Sequence, residues 1–227
     1  MAKQCAARKY VYVWEVPVRL AHWGIFFSIL ILVSTGSYIH YPFINVTSIE
    51  QPYLMGHMRT IHYVTGTIFM FFVMLRIYWF IIGNKYASWR GAYSPFNKNH
   101  LKLFIDYIKY YILIKKDVPH VLSHNPVAFS AYTVLYLLFV LQIITGFALW
   151  GLYHQNGLAY QLFGWVFSIV NIQWARFYHY ILMFLIGGFF INHIYSAVLF
   201  DFKTQSGEIS AIFSGWKPLR EDNKEQL

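Results

Sequence analysis

The chain has 227 residues, of which 58% are apolar and only 12% charged. Soluble domains carry about 25% charged residues, so water is not its main solvent. The formal charge of +9 does not mark a nucleic-acid binder, because the lysines and arginines follow membrane topology instead of gathering into a basic domain.

Four apolar windows, roughly 20–39, 61–82, 127–150 and 177–200, reach the length of about 20 residues that a helix needs to cross a hydrocarbon core. They predict an all-α membrane protein: a four-helix transmembrane bundle. The first window lacks a small-residue cleavage pattern after it, so the N-terminus is expected to be retained. Cys5, the single cysteine, excludes a disulfide framework or a thiolate iron–sulfur site within the chain and reads as an incidental free thiol.

Basic residues sort the connections. Lys3, Arg8, Lys9 and Arg19 precede helix 1, seven lysines and arginines lie between helices 2 and 3, and Lys203, Lys217, Arg220 and Lys224 follow helix 4. The other two connections hold only Arg59 and Arg176. By the positive-inside rule both termini and the 83–126 loop are cytoplasmic, and the remaining connections face outward. In that loop, LKLFIDYIKYYILIKK (101–116) sets Lys102, Asp106 and Lys109 on one stripe of an otherwise apolar helix, which suits the membrane surface. The outer 3–4 connection is rich in Tyr, Trp and Phe, fitting an interfacial belt or a docking surface. The division expected is a transmembrane domain over 1–202 and a cytoplasmic tail over 203–227, with REDNKEQL disordered.

Of ten histidines, six (His40, His57, His100, His120, His124, His154) are expected in connections. His22, His62, His179 and His193 fall in or at the ends of the spans, where an ionisable group is costly and points to function. Topology places His22 and His193 near the cytoplasmic face, and His62 and His179 near the outer one. The fourteen residues from His179 to His193 correspond to about 21 Å of helix, about 40° short of four turns, so both project from nearly one face. Two haems, clamped by His22/His193 and His62/His179, satisfy all four at once. Gly66, Gly187 and Gly188 would let a porphyrin approach the backbone, or else serve helix packing. Arg19, Arg59, Arg76 and Arg176 are placed to neutralise haem propionates, or to snorkel to the interface.

Two axial histidines leave no open coordination position, so electron transfer is the expected task. Without a CxxCH motif the haems are expected to be b-type. Quinone is the expected membrane-soluble acceptor. SHNP, Ser123 to Pro126, offers His124 and Asn125 to a quinone near the inner haem, or Asn125 as a helix N-cap ahead of Pro126.

Together EVPVRLAHW, GHMRTIHYVTG, RIYWFIIGNKYA, SHNP, IITGFALW and HYILMFLIGGFFINHIYSA closely resemble the b-type cytochrome subunit of membrane-bound nickel–iron hydrogenases, over nearly the whole chain. That resemblance implies an inner-membrane anchor for periplasmic hydrogenase large and small subunits, passing electrons from the small subunit's iron–sulfur relay to quinone. Hydrogen activation would belong to the other chains. It also sets His22, His62, His179 and His193 at the family's haem-ligand positions. Where the family often has WHR at the outer start of helix 4, this chain has FYH, with Arg176 three residues before His179. The cytochrome b subunit of a formate dehydrogenase or thiosulfate reductase is the alternative within the same superfamily. A haem-free anchor or transporter is the alternative from another class, distinguished by lack of visible haem absorbance.

Overall fold

The computed structural model describes residues 10–43, 53–91, 98–112, 114–115, 125–204 and 207–218. In chain order the elements are β1 (Tyr10–Tyr12), α1 (Val16–His40), α2 (Leu54–Ile82), α3 (Lys98–Tyr111), α4 (Pro126–Gly151), α5 (Leu158–Phe163), α6 (Val166–Ile169), α7 (Ile172–Thr204), α8 (Glu208–Ser214) and β2 (Trp216–Pro218), with a 3-10 turn at Trp89–Gly91. Four of these helices, α1, α2, α4 and α7, are long and apolar enough to span a membrane. Leu20, Phe27, Phe71, Leu137 and Phe184 on them are each more than half exposed. Outward-facing apolar side chains of this size belong against lipid.

The helices outrun the apolar windows, because hydropathy reports the hydrocarbon thickness whereas a helix stops where its backbone bonding stops. The 33 residues of α7 extend for about 50 Å, against a core of about 30 Å. His40 and His57, expected in connections, are therefore helical, as is His100 in α3. The expected cytoplasmic-loop helix at 101–116 runs instead from Lys98 to Tyr111. It ends where the amides of Ile114 and Lys115 fold back onto the Lys109 carbonyl, at 2.8 and 3.1 Å. Lys115 then reaches Asp106 at 3.0 Å and, chiefly through that hydrogen bond, holds the Asp106 carboxyl below its ordinary range. Leu101, Ile105 and Ile108 stay exposed along the apolar face of this helix.

The chain forms two compact units, one of residues 1–19, 76–134 and 193–227, the other of 20–75 and 135–192. In the first, β1 and β2 pair antiparallel, with Tyr10 opposite Pro218, Val11 opposite Lys217 and Tyr12 opposite Trp216. Beside them Val13, Trp14, Val18, Ala87 and Ala211 form a buried cluster. Glu15 accepts hydrogen bonds from the Trp79 indole and the Asn84 amide, both at 2.8 Å. Asn84 in turn donates to the Val13 carbonyl and accepts from the Tyr86 and Ala87 amides. Gly215 closes α8 with φ +90, and its carbonyl accepts from the amides of Val13 and Trp14. A Cβ there would stand 2.7 Å from the Trp14 carbonyl oxygen, so both the backbone sign and the space require glycine.

The stretch from 203 onward, expected as a tail, thus contributes a helix and a strand at 208–218. Three-residue strands that pair across some two hundred positions leave no local periodicity to read. The stretch REDNKEQL lies outside the described residues. Lys217 is the unusual member: its side chain is 3% exposed, paired with Glu208 at 2.6 Å and set 5.8 Å from the Trp14 ring centre. Glu208→Gln would leave that ammonium buried without its counter-ion, and is expected to destabilise the first unit by about 3 kcal/mol. Lys217→Leu removes the charge itself and should cost much less. Thermal unfolding of both variants in detergent measures the contrast, and equal losses would refute it.

In the second unit Phe69 and Phe139 meet edge to face, with ring centres 5.1 Å apart. Leu182 and Ile186 of α7 are buried there. Gly151 lets α4 approach α5, since a Cβ on it would stand 2.8 Å from the Tyr160 backbone.

Candidate haem-binding site

Within the second unit, His62 of α2 and His179 of α7 face each other, with ring centres 6.4 Å apart and planes at 70°. Two imidazoles on opposite sides of one metal, with metal–nitrogen bonds of about 2 Å, have centres roughly 6 Å apart. The spacing therefore fits a bis-histidine iron.

Hydrogen bonds orient both rings. Thr35 Oγ1 lies 2.9 Å from His62 Nδ1, and Thr145 Oγ1 lies 2.9 Å from His179 Nδ1. Each hydroxyl also donates one turn back along its own helix, Thr35 to the Ile31 carbonyl at 2.7 Å and Thr145 to the Leu141 carbonyl at 2.8 Å. With its proton committed there, the threonine oxygen accepts, so Nδ1 of each histidine carries the hydrogen. Nε2 then holds the lone pair a metal takes. The Gln142 side-chain nitrogen meets that lone pair on His179 at 3.3 Å, the long end of hydrogen-bond distance. A haem would exchange this weak contact for a coordinate bond.

Room for a macrocycle is a second test. A Cβ on Gly66, Gly187 or Gly188 would meet nothing within 4 Å among the described residues. That open space suits lipid as well as a ligand, so both readings of these glycines stand. Gly36 and Gly146 work differently, because a Cβ there would stand 3.2 Å from His62 Cε1 and 2.9 Å from His179 Cε1. The absent side chain at Gly146 admits the His179 imidazole, and the one at Gly36 spares His62 a tight contact.

The other expected ligands lie as follows. His193 of α7 belongs to the first unit, where the Tyr132 hydroxyl sits 3.2 Å from its Nδ1. His22 of α1 belongs to the second unit and is half-buried. Arg19 donates through Nη1 to the Phe213 carbonyl, which ties α1 to α8. Arg59 stands over the Tyr153 ring at 5.6 Å, Arg76 is half-buried on α2, and Arg176 is exposed on α7. Asn125 caps α4: its Oδ1 accepts from the Ala128 amide at 2.8 Å, Pro126 is the first helical residue, and its Nδ2 donates to the Tyr111 hydroxyl at 3.2 Å. Burial pushes the Tyr111 phenol above its usual range. The capping role expected for Asn125 is thus realised. His124 lies outside the described residues.

Thr35, Gly36, Thr145, Gly146 and Tyr132 were not legible as site residues. The signal available was the dipeptide Thr-Gly, repeated at 35–36 and 145–146 within apolar spans.

Comparison with known proteins bears on the whole arrangement. The family model described as prokaryotic cytochrome b561 matches residues 13–215. A protein of Rhodobacter capsulatus described as a probable Ni/Fe-hydrogenase B-type cytochrome subunit is 34% identical, covering 96% of this chain and 85% of its own length. Proteins of the same description from Rhizobium leguminosarum bv. viciae and, for hydrogenase 1, Escherichia coli K12 are 36% and 31% identical, covering 92% and 91% of this chain and 89% and 90% of theirs. With four membrane-spanning helices and a facing histidine pair between two of them, the chain belongs to the prokaryotic cytochrome b561 family, multi-pass membrane proteins that bind haem b between their helices.

Proposed function

We propose that this chain is the b-type cytochrome subunit of a nickel–iron hydrogenase, carrying electrons from the small subunit's iron–sulfur relay to quinone. The observation that carries the reading is the His62/His179 pair, facing at 6.4 Å with both Nδ1 atoms engaged by threonines. The names of the relatives supply the partner. Two haems are proposed, the outer held by His62 and His179, the inner by His22 and His193 from their matching positions along the spans. A haem between two histidines supplies one-electron transfer with no open coordination site. What the chain does is hold Nε2 in place on His62 and His179 through Thr35 and Thr145, and exclude water with its apolar helices.

By the distribution of basic residues, the termini and the 83–126 loop are cytoplasmic and the 40–60 and 151–176 connections face the hydrogenase. Quinone reduction is proposed at the cytoplasmic end, beside Asn125 and His124, where two electrons meet two protons. The Asn125 amide, already bonded to Tyr111, would serve there as a neighbour to the quinone while capping α4.

Hydrogen added to membranes holding the complex should reduce a b-type spectrum within the chain. Membranes lacking the small subunit should lose that response while dithionite still produces it. Hydrogen-dependent reduction that persisted without the small subunit would overturn the assignment.

A further inference from the structure

Thr35–Gly36 on α1 and Thr145–Gly146 on α4 stand in the same relation to two different histidines on two different helices. In each pair the threonine oxygen lies 2.9 Å from Nδ1 of the facing ring. A Cβ on the glycine that follows would press on that ring's Cε1 edge, tightly at Gly36 (3.2 Å) and in collision at Gly146 (2.9 Å). Nδ1 and Cε1 are adjacent ring atoms, so a single dipeptide reads one edge of the imidazole, polar atom and carbon together. Chance packing has no reason to produce this twice, once for each member of a facing pair. A threonine in a helix interior otherwise gains little, since its hydroxyl only back-bonds to the preceding turn. Here the back-bond has a directional consequence: it turns the hydroxyl into an acceptor.

We infer that these two Thr-Gly dipeptides are matched cradles that fix the tautomer and ring plane of His62 and His179 and set their donor strength toward iron. The inference rests on the reading of those histidines as haem ligands. An imidazole whose Nδ1–H is hydrogen-bonded is a more basic ligand through Nε2. Basic ligands favour the ferric over the ferrous ion, so the cradles hold the outer site at a lower potential than unsupported histidines would. Thr35 and Thr145 are positioning residues, because they act through the ligands and not on the iron. Thr65–Gly66 repeats the dipeptide on α2, but a Cβ on Gly66 meets nothing within 4 Å, so there the glycine leaves room and does not seat a ring.

The test uses the purified hydrogenase complex carrying Thr35→Val, Thr145→Val, the corresponding Ser variants, and Gly146→Ala. Haem content, redox titration of the outer component and the electron paramagnetic resonance of the ferric form are read on each. Valine keeps the shape and loses the acceptor. Each Val variant is expected to shift the ferric–ferrous equilibrium of the outer haem about tenfold toward ferrous, about 59 mV for a one-electron couple, with Ser restoring the original value. The two substitutions together should approach the product of the separate shifts, since each acts on its own ligand. Gly146→Ala should change the resonance by tilting the His179 ring. Haem lost in Val but kept in Ser would support the cradle as well. Unchanged potential and resonance in both Val variants would reduce the threonines to helix packing, and equal haem loss in Val and Ser would do the same. His62→Ala and His179→Ala serve as the separate control: haem fully retained in those variants would refute the ligation reading itself, and the inference with it.

Discussion

Replacing His62 or His179 with alanine is expected to remove the same haem from the complex and leave the other in place. A b-type haem has no covalent tether, so its axial bonds and its pocket hold it, and a single imidazole on one side leaves iron with an open position facing apolar side chains. Haem-to-protein ratio should fall by about half in either variant, and the same component should vanish from the redox titration. His22→Ala and His193→Ala should each remove the remaining component. Hydrogen-dependent quinone reduction should be abolished in all four, because the relay loses a station, while hydrogen oxidation with a dye that accepts electrons ahead of the membrane should persist. The pairing fails if His62→Ala and His193→Ala lose the same component.

The second large effect concerns Glu15. Its carboxylate accepts from both the Trp79 indole and the Asn84 amide, and thereby ties the segment before α1 to the end of α2. Charge-assisted hydrogen bonds contribute about 1.5–3 kcal/mol each, and partial burial places the pair at about 2–4 kcal/mol together. Glu15→Ala is therefore expected to open the segment around β1 locally, with the spans intact. Amide exchange at Val13 and Trp14, both donors to the Gly215 carbonyl, reads that opening directly. Protection should drop by about 30- to 700-fold, the equivalent of that free energy at 1.4 kcal/mol per decade. Glu15→Gln keeps an acceptor for one partner and should fall between. Protection unchanged in Glu15→Ala would show that the buried cluster around Trp14 holds the segment alone.

What could be read from the sequence was whatever has a period or a cost. The spans follow from runs of apolar residues, and the four histidines stand out because an imidazole is expensive where lipid surrounds it. The cap at Asn125 and Pro126 was readable because capping is local chemistry with a fixed spacing. Helix ends such as Leu54 and Ile172 were not, since polar and aromatic residues at the interface continue a helix without adding hydropathy. Thr35 and Thr145 were invisible for another reason. Each is an ordinary helical threonine, Thr35 buried and Thr145 half-buried, until a histidine on a different helix is placed 2.9 Å away. The pairing of Val11 with Lys217 likewise has no local signature, only a tertiary one.

That strand pairing has a consequence for how the protein is made. Tyr10–Tyr12 leaves the ribosome first, yet its partner Trp216–Pro218 is synthesised only after all four spans. Until then Glu15 can already hold Trp79 and Asn84, but the Gly215 carbonyl that receives Val13 and Trp14 does not exist. Closing so long a loop in a free chain is entropically costly, though the cost grows only with the logarithm of its length. Helices already threaded through the bilayer lower it further. Zipping of the two strands therefore follows the synthesis and insertion of all four spans. A chain stalled before Gly215 would keep its early strand unpaired, an exposed edge of the kind that invites pairing with another chain.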